Sequence, residues 1–481
     1  MRLRFFVVLM LLAGALRAAD TAEAGKVAAW VRALPAVAPD DAIVGVLGGI
    51  SMNLIGPPVE VVRTTGPAAF YDNAAAVAQA AEIVRQRGLN YLAPLAAGSI
   101  LWYRDVQNVP WGMIEVSPGR YQWEVLDAIV KSVQSAGGRY VGTVMPYAGW
   151  ELRAAGYTAT TDEQCLRLMT EDVFYLAADQ RMDRYKDETS YKNFLTAVVE
   201  RYDGDGFADM PGLITPILYW QIHNEPEGNH CGLYRDNEVK FVQHMKISRE
   251  AIAAACPSCK VLNGGAAALL FLENHVPPLG GVNFWRDYAL AGGAPYIDVI
   301  AVHYNQGKDP DHGNVADLEY QIRRARELLG DSKPVWVTEF GVVIGDHGNF
   351  KGLTEKEAAA WYVRMYAAGL AAGAVRFFSD APGFVEMNGT TYLTFYVNKL
   401  VQAKLGGFTS AAKIATGQYR FRVRGGDVYV LWAGVPSSVT GSVIATDFYG
   451  NTTATSASML APSEASPLFV EASPVRRRAV H

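Results

Sequence analysis

The chain has 481 residues, with 43 lysines and arginines against 48 aspartates and glutamates, for a formal net charge of −5. Half of its residues are hydrophobic, enough to bury one large core and a second small one. The slightly acidic balance argues against a nucleic-acid partner, whose binding domain is usually basic; the one dense basic cluster, Arg476 to Arg478, reads as a solvated tail over 476–481.

Residues 1–19 read as a secretory signal. Arg2 and Arg4 form a charged start, Phe5 to Leu16 is a short apolar stretch, and the small residues Ala18 and Ala19 follow. The stretch falls short of the ~20 apolar residues that span a bilayer. No cysteine lies near the cleavage point to carry a lipid anchor. The expectation is a secreted or periplasmic protein, free of the membrane once the signal is cleaved, in a compartment where disulfides persist.

Strand-like and helix-like segments then alternate. Strands are expected at 43–51, 89–96, 139–147, 216–222, 260–265, 297–304, 334–340 and 374–380, each a near-continuous apolar run of the kind a doubly covered parallel strand requires. Between them, Val77, Ala81 and Val84 recur at helical spacing before Gly88, as do Leu318, Ile322, Ala325 and Leu329 before Gly330. Thr354 and Glu357 stand at capping-box spacing. Eight alternations predict an α/β fold, a (β/α)8 TIM barrel over 20–405, with insertions after strands 3, 4 and 8.

After residue 405 the period changes to two. "YRFRVRGGDVYVLWAG" reads as a hairpin about a Gly-Gly-Asp turn, and 406–475 is expected to form a small all-β domain, a β-sandwich. Of the four cysteines, Cys256 and Cys259 in "CPSC" fit a local structural staple better than a redox pair or half a zinc site. Cys165 with Cys231 is the arithmetic remainder.

In such a barrel, chemistry sits at the C-terminal ends of the strands. Two strands end in glutamate there: Glu225, after "PILYWQIHN", and Glu339, in "WVTEFG". Strands 4 and 7 face each other across the mouth, so both carboxylates can address one bound group. Such a pair is the minimum for cleaving a glycosidic bond.

"NEP" after strand 4 with "TEFG" after strand 7 resembles the retaining glycoside hydrolases of clan A, which include the cellulase-like family 5 and the β-xylosidase and iduronidase-like family 39. "DFYGN" and "SPLFVEAS" resemble the last strands of the small β domain of family 39. The resemblance implies Glu225 as general acid/base, Glu339 as nucleophile, and Asn224 as the residue bonding the sugar 2-hydroxyl. It implies no metal and no organic cofactor. An acid role suits a partly desolvated carboxyl, whereas the nucleophile needs donors around it.

Family 5 places His-x-Tyr after strand 6; here the order is His303-Tyr304-Asn305, so which of these faces the nucleophile stays open, as does a core-filling role for His303. Family 5 members usually carry an arginine near the end of strand 2, where "LNYLAP" offers Ala93; that donor is either missing or comes from elsewhere. After strand 8, where many members have tryptophan, Asp380 stands ready for a sugar hydroxyl or a cation.

Sugar faces stack on aromatic rings. Trp102, Tyr147, Trp150 and Trp336 are the candidates for that contact, with core packing the alternative for each. Asp203, Asp205 and Asp209 resemble a calcium loop but lack its terminal glutamate, so a turn is favoured. The expected function is an exported retaining glycosidase acting on a β-linked oligo- or polysaccharide. The alternative is a carbohydrate-binding protein on a catalytically weakened barrel.

Overall fold

Apolar runs with little alternation become parallel strands buried on both faces, and the chain uses them to close a barrel. The computed structural model describes residues 19–48, 67–105, 109–146, 148–154, 187–227, 238–266, 284–305, 314–345, 352–380, 383–386 and 389–472. The strands are β1 (Val44–Leu47), β2 (Ile100–Arg104), β3 (Arg139–Met145), β4 (Tyr219–Ile222), β5 (Lys260–Leu262), β6 (Ile300–Asn305), β7 (Val335–Gly341) and β8 (Ala374–Asp380). Each is followed by a helix: α1 (Ala74–Arg87), α2 (Glu124–Ser135), α3 (Glu188–Glu200), α4 (Glu238–Ala255), α5 (Phe284–Leu290), α6 (Val315–Leu329), α7 (Glu355–Ala372) and α8 (Leu393–Leu405).

The strands pair in parallel in the order β5-β4-β3-β2-β1-β8-β7-β6. Bridges Leu262↔Val299 and Ala266↔Val302 close the seam between β5 and β6. Asn263 reinforces it: its amide donates to Ala301 O at 2.8 Å and accepts from Ala301 N at 2.6 Å, imitating a missing ladder step. The helices start where side chains can replace intrahelical acceptors. Asn73 and Asn314 cap α1 and α6, and Thr354 with Glu357 forms the expected capping box on α7.

The second strand is not where the sequence suggested. Residues 88–97 form a π-turn (Gly88–Leu92) and a short helix (Ala93–Ala97), with Tyr91, Leu92, Leu95 and Ala96 buried at helical spacing. Gly88 permits this because a Cβ there would lie 2.0 Å from Ser132 Oγ on α2. The true β2 is "ILWYR", buried throughout, and it ends in Arg104.

Pleating sorts β2, β6 and β7 into two layers. Tyr103, Val302, Tyr304, Val337 and Phe340 face the helices in the main core, while Trp102, Ala301 and Trp336 point into the barrel. The barrel floor is aromatic. Trp102 meets Trp336 edge-on at 5.2 Å and Tyr219 at 5.4 Å, and donates through Nε1 to Pro39 O (2.8 Å), ahead of β1. The Arg376 guanidinium lies 3.8 Å from the Trp102 ring centre and 4.9 Å from that of Trp336. Burial among those rings pushes its pKa down to about 10.

The C-terminal domain is one six-stranded antiparallel sheet: β9 (Ser410–Ala415), β10 (Gln418–Val423), β11 (Gly426–Leu431), β12 (Ser442–Thr446), β13 (Thr452–Ser456) and β14 (Leu468–Ala472), in the order β9-β10-β11-β14-β12-β13. Barrel helices pack against one face of the sheet, and a small cluster around Leu431, Val443 and Val470 lies on the other.

Glu319 of α6, nearly fully buried, accepts from Tyr419 Oη at 2.7 Å and Lys413 Nζ at 2.5 Å. Glu319→Ala is therefore expected to cost about 2 kcal/mol, mostly from the Tyr419 hydroxyl left buried and unbonded. Thermal melts, with limited proteolysis within 406–472, would read the loosened docking. The segment from residue 19 adds a strap: Ala19 O accepts Thr391 N at 3.0 Å, and Trp30 donates to Gly450 O at 2.7 Å.

Cys256 and Cys259 are disulfide-bonded at the turn between α4 and β5. Cys165, Cys231, residues 1–18 of the signal expected over 1–19, and most of the insertions after β3 and β4 lie outside the described residues. Among the described residues, no helix is long and apolar enough to cross a membrane.

Candidate active site

Four strands deliver polar side chains to the C-terminal mouth, each by a different local device. On β2, simple alternation puts Arg104 on the same face as Trp102, one layer higher. On β7, inward Trp336 and Glu339 are three residues apart, an odd spacing that plain alternation forbids. A bulge between Val337 and Glu339 supplies the extra residue and re-aims the carboxylate. On β6, His303 points inward between outward Val302 and Tyr304. After β4 the backbone itself is unusual: His223 and Glu225 have φ of +73° and +44°. Left-handed conformations in residues other than glycine cost of order 1–3 kcal/mol each and cluster at functional sites.

These devices converge on one cluster. Arg104, fully buried, donates through Nη1 to Glu339 Oε1 at 2.9 Å and to Thr338 O at 3.2 Å, and through Nη2 to Asn224 Oδ1. His303 Nδ1 lies 2.7 Å from Glu225 Oε1 and 3.6 Å from Glu339 Oε2. Nδ1 is aimed at both acids: it donates to Glu225 when that carboxylate is ionised and accepts from its O–H when Glu225 carries the acid proton. One oxygen from each glutamate and a His303 nitrogen all lie within 4.8 Å of one another.

The glycines after β5 make room for this arrangement. Gly264 O accepts the Glu225 N–H at 2.6 Å, and a Cβ on Gly264 would meet Pro226 Cδ at 2.6 Å. Gly265, at φ +75°, backs His303 so closely that a Cβ would sit 1.9 Å from Nε2. Sequence reading passed over both. The signal was available in "NGG" at a strand end, where paired glycines mark close backbone approach.

Of the two alternatives for the arginine donor, the one from elsewhere holds: Arg104 at the end of the true β2 donates to Glu339, while Ala93 belongs to a helix. The expectation for Tyr304 is corrected. It faces outward and donates to Asn314 O at 2.6 Å, with burial pushing its hydroxyl pKa up. Trp102 and Trp336, expected to meet a sugar, form the floor described above. Trp150 packs edge-on to Trp111 at 5.5 Å and donates to Glu115 O at 2.7 Å. Tyr147 and the side chain of Asp380 lie outside the described residues.

Glu225, His303 and Glu339 have the spacing to hold a cation, yet their charges already meet Arg104 and the His303 N–H. Asp203, Asp205 and Asp209 are close enough as well. Their oxygens, however, accept from the backbone N–H groups of Gly204, Asp205, Gly206 and Phe207 at 2.7 to 3.3 Å, the bonding of a turn. Burial first, then the neighbouring acids, pushes Asp203 up to about 6.

His223 is fully buried, and desolvation pushes its pKa down to about 4 from the usual 6.5. The unfolded chain therefore takes up this proton first as pH falls. The ring contributes stability that is fully present above pH 6.5 and lost as pH drops to about 4, worth about 3 kcal/mol. Denaturant midpoints measured from pH 7 to pH 4 should fall more steeply for the wild type than for His223→Asn.

No family model matches the chain, and no curated protein matches it. Solved structures do. A family 39 glycoside hydrolase from the gut symbiont Bacteroides cellulosilyticus WH2 superposes with a TM-score of 0.54 at 15% identity, over 81% of this chain and 78% of that one. A GH30 endoxylanase from Clostridium papyrosolvens C71 gives 0.51 at 13% identity, over 80% of this chain and 92% of that one. At such identities the likeness is one of architecture, and the chain shares its fold with these glycoside hydrolases.

Proposed function

We propose that the protein is an exported retaining glycoside hydrolase that cleaves a β-linked glycan by double displacement. The observation that carries this reading is the pair Glu225 and Glu339 at the barrel mouth, with carboxylate oxygens within 4.8 Å and unlike partners. Retaining enzymes hold their two carboxyl groups about 5–5.5 Å apart, whereas inverting ones leave about 6.5–9.5 Å for a water. The short separation supports retention.

The unlike partners divide the roles. Glu339 sits against the fixed positive charge of Arg104, which suits a nucleophile that must be charged when it attacks the anomeric carbon. Glu225 instead meets the titratable ring of His303 at 2.7 Å, a partner that suits a group that gives and takes a proton. Glu225 protonates the leaving oxygen as Glu339 forms the glycosyl ester. Water, deprotonated by Glu225, then attacks the same carbon and releases Glu339. Asn224, fixed by Arg104, stands beside this centre to bond the sugar 2-hydroxyl. Arg104 also weakens one of the reasons for a binding-only barrel, the arginine missing at Ala93; the altered ends of strands 6 and 8 are the others. Export rests on the signal-like residues 1–19.

Proton NMR of a reaction on β-glycosides of glucose, xylose, mannose and galactose tests the reading. The first product anomer is expected to be β. An α-anomer appearing first would contradict it, and polysaccharide binding without any cleavage would favour the binding-protein alternative.

A further inference from the structure

We infer that His223 is a positioning residue, which holds Asn224 and Glu225 in place through the acceptor nitrogen of its ring. The inference rests on reading Glu225 as the acid/base of the proposed reaction. Trp220 and Ile222 of β4 face the helices, so an extended His223 would point into the barrel. Its left-handed backbone turns the ring outward instead, against His244 of α4, with ring centres 6.4 Å apart. His244 in turn bonds the Tyr191 hydroxyl of α3 at 3.0 Å.

The ring then does what a neighbouring strand would otherwise do. Three successive N–H groups find three acceptors: His223 N bonds Val144 O at 2.9 Å, Asn224 N bonds His223 Nδ1 at 2.8 Å, and Glu225 N bonds Gly264 O at 2.6 Å. Only the middle acceptor is a side chain. Nδ1 also lies 3.2 Å from Asn224 O, but a backbone N–H can only donate, so Nδ1 accepts and the proton resides on Nε2. A proton on Nδ1 would swap the partner from Asn224 N to Asn224 O and turn the peptide that carries both site residues. Burial keeps the ring neutral, its pKa pushed down to about 4.

Two variants separate positioning from packing. His223→Phe keeps the ring volume and removes the acceptor. His223→Asn keeps an acceptor and tolerates positive φ, but leaves a cavity. The expected order is opposite in the two readouts. Asn should melt at the lower temperature, yet Phe should lose more kcat, about 10- to 100-fold with KM within about threefold, as a misplaced catalytic group does.

Ring 15N spectra of the full-length protein, with His223 assigned by its loss in His223→Asn, should show a neutral Nε2–H tautomer at pH 6. A kcat ranking that follows stability, with Phe above Asn, would overturn the inference, as would an Nδ1–H tautomer or an imidazolium at that pH. The spectra also decide the matter if the wild type turns over no glycoside, an outcome that would defeat the hydrolase reading alone.

Discussion

Arg104→Met is expected to abolish most turnover and to cost about 3–5 kcal/mol of stability, the usual penalty for deleting one member of a buried ion pair. Methionine fills the space of the stem without its charge. Glu339, only 8% exposed, would keep its carboxylate without the guanidinium at 2.9 Å, while Thr338 O and Asn224 Oδ1 would lose their donors. Turnover should fall for two reasons, because the nucleophile loses its cation and Asn224 loses the bond that orients it. Urea melts at constant slope, with kcat/KM on the best substrate, check this. Stability within 1 kcal/mol of wild type and activity within tenfold would show that Arg104 is not the anchor of the site.

Glu225→Ala is expected to lower kcat by about 10²- to 10⁴-fold on glycosides with poor leaving groups, the range typical of a lost general acid. Glycosides with acidic phenol leaving groups should form the glycosyl-enzyme almost normally, since they need no proton to depart. Added azide should then restore turnover and yield the β-glycosyl azide, because a charged nucleophile needs no base. A loss of equal size for every leaving group, with no azide effect, would point to collapse of the site. His303, whose Nδ1 lies 2.7 Å from Glu225, would lose its nearer acceptor in this variant and keep the one at 3.6 Å on Glu339.

Both substitutions draw on residues of unequal legibility in the sequence. Glu225 and Glu339 could be read because each ends an apolar strand, and an isolated charge there stands out against the buried run. The capping box of α7 could be read because its two residues act within four positions of chain. Arg104 was hidden by a competing segment: "LNYLAPLAA" has the apolar density of a strand, and its burial at helical spacing shows only once it packs on α2. The displaced strand took the arginine with it.

Aromatic residues were the least legible, for a reason specific to barrels. Every barrel strand is buried on both faces, so alternation says which residues point inward but not at what height. Trp102 and Arg104 share the inward face of β2, yet one plugs the floor and the other reaches the mouth. Trp336 and Glu339 do the same on β7 only because a bulge intervenes, and a bulge leaves little trace in composition. The positive φ of His223 and the close packing of Gly265 depend on contacts between strands far apart in sequence. Such constraints surface only when the barrel closes.

The central claim, that Glu339 attacks sugar carbon, is tested most directly by trapping the ester. Incubation with a panel of 2-fluoro-glycosyl fluorides, followed by peptide mass mapping, should place one sugar on the peptide carrying Glu339, with slower labelling in Glu225→Ala. The sugar that labels fastest names the specificity of the cleavage site. A label on any other residue, or steady hydrolysis with inversion and no label from any sugar, would contradict the account.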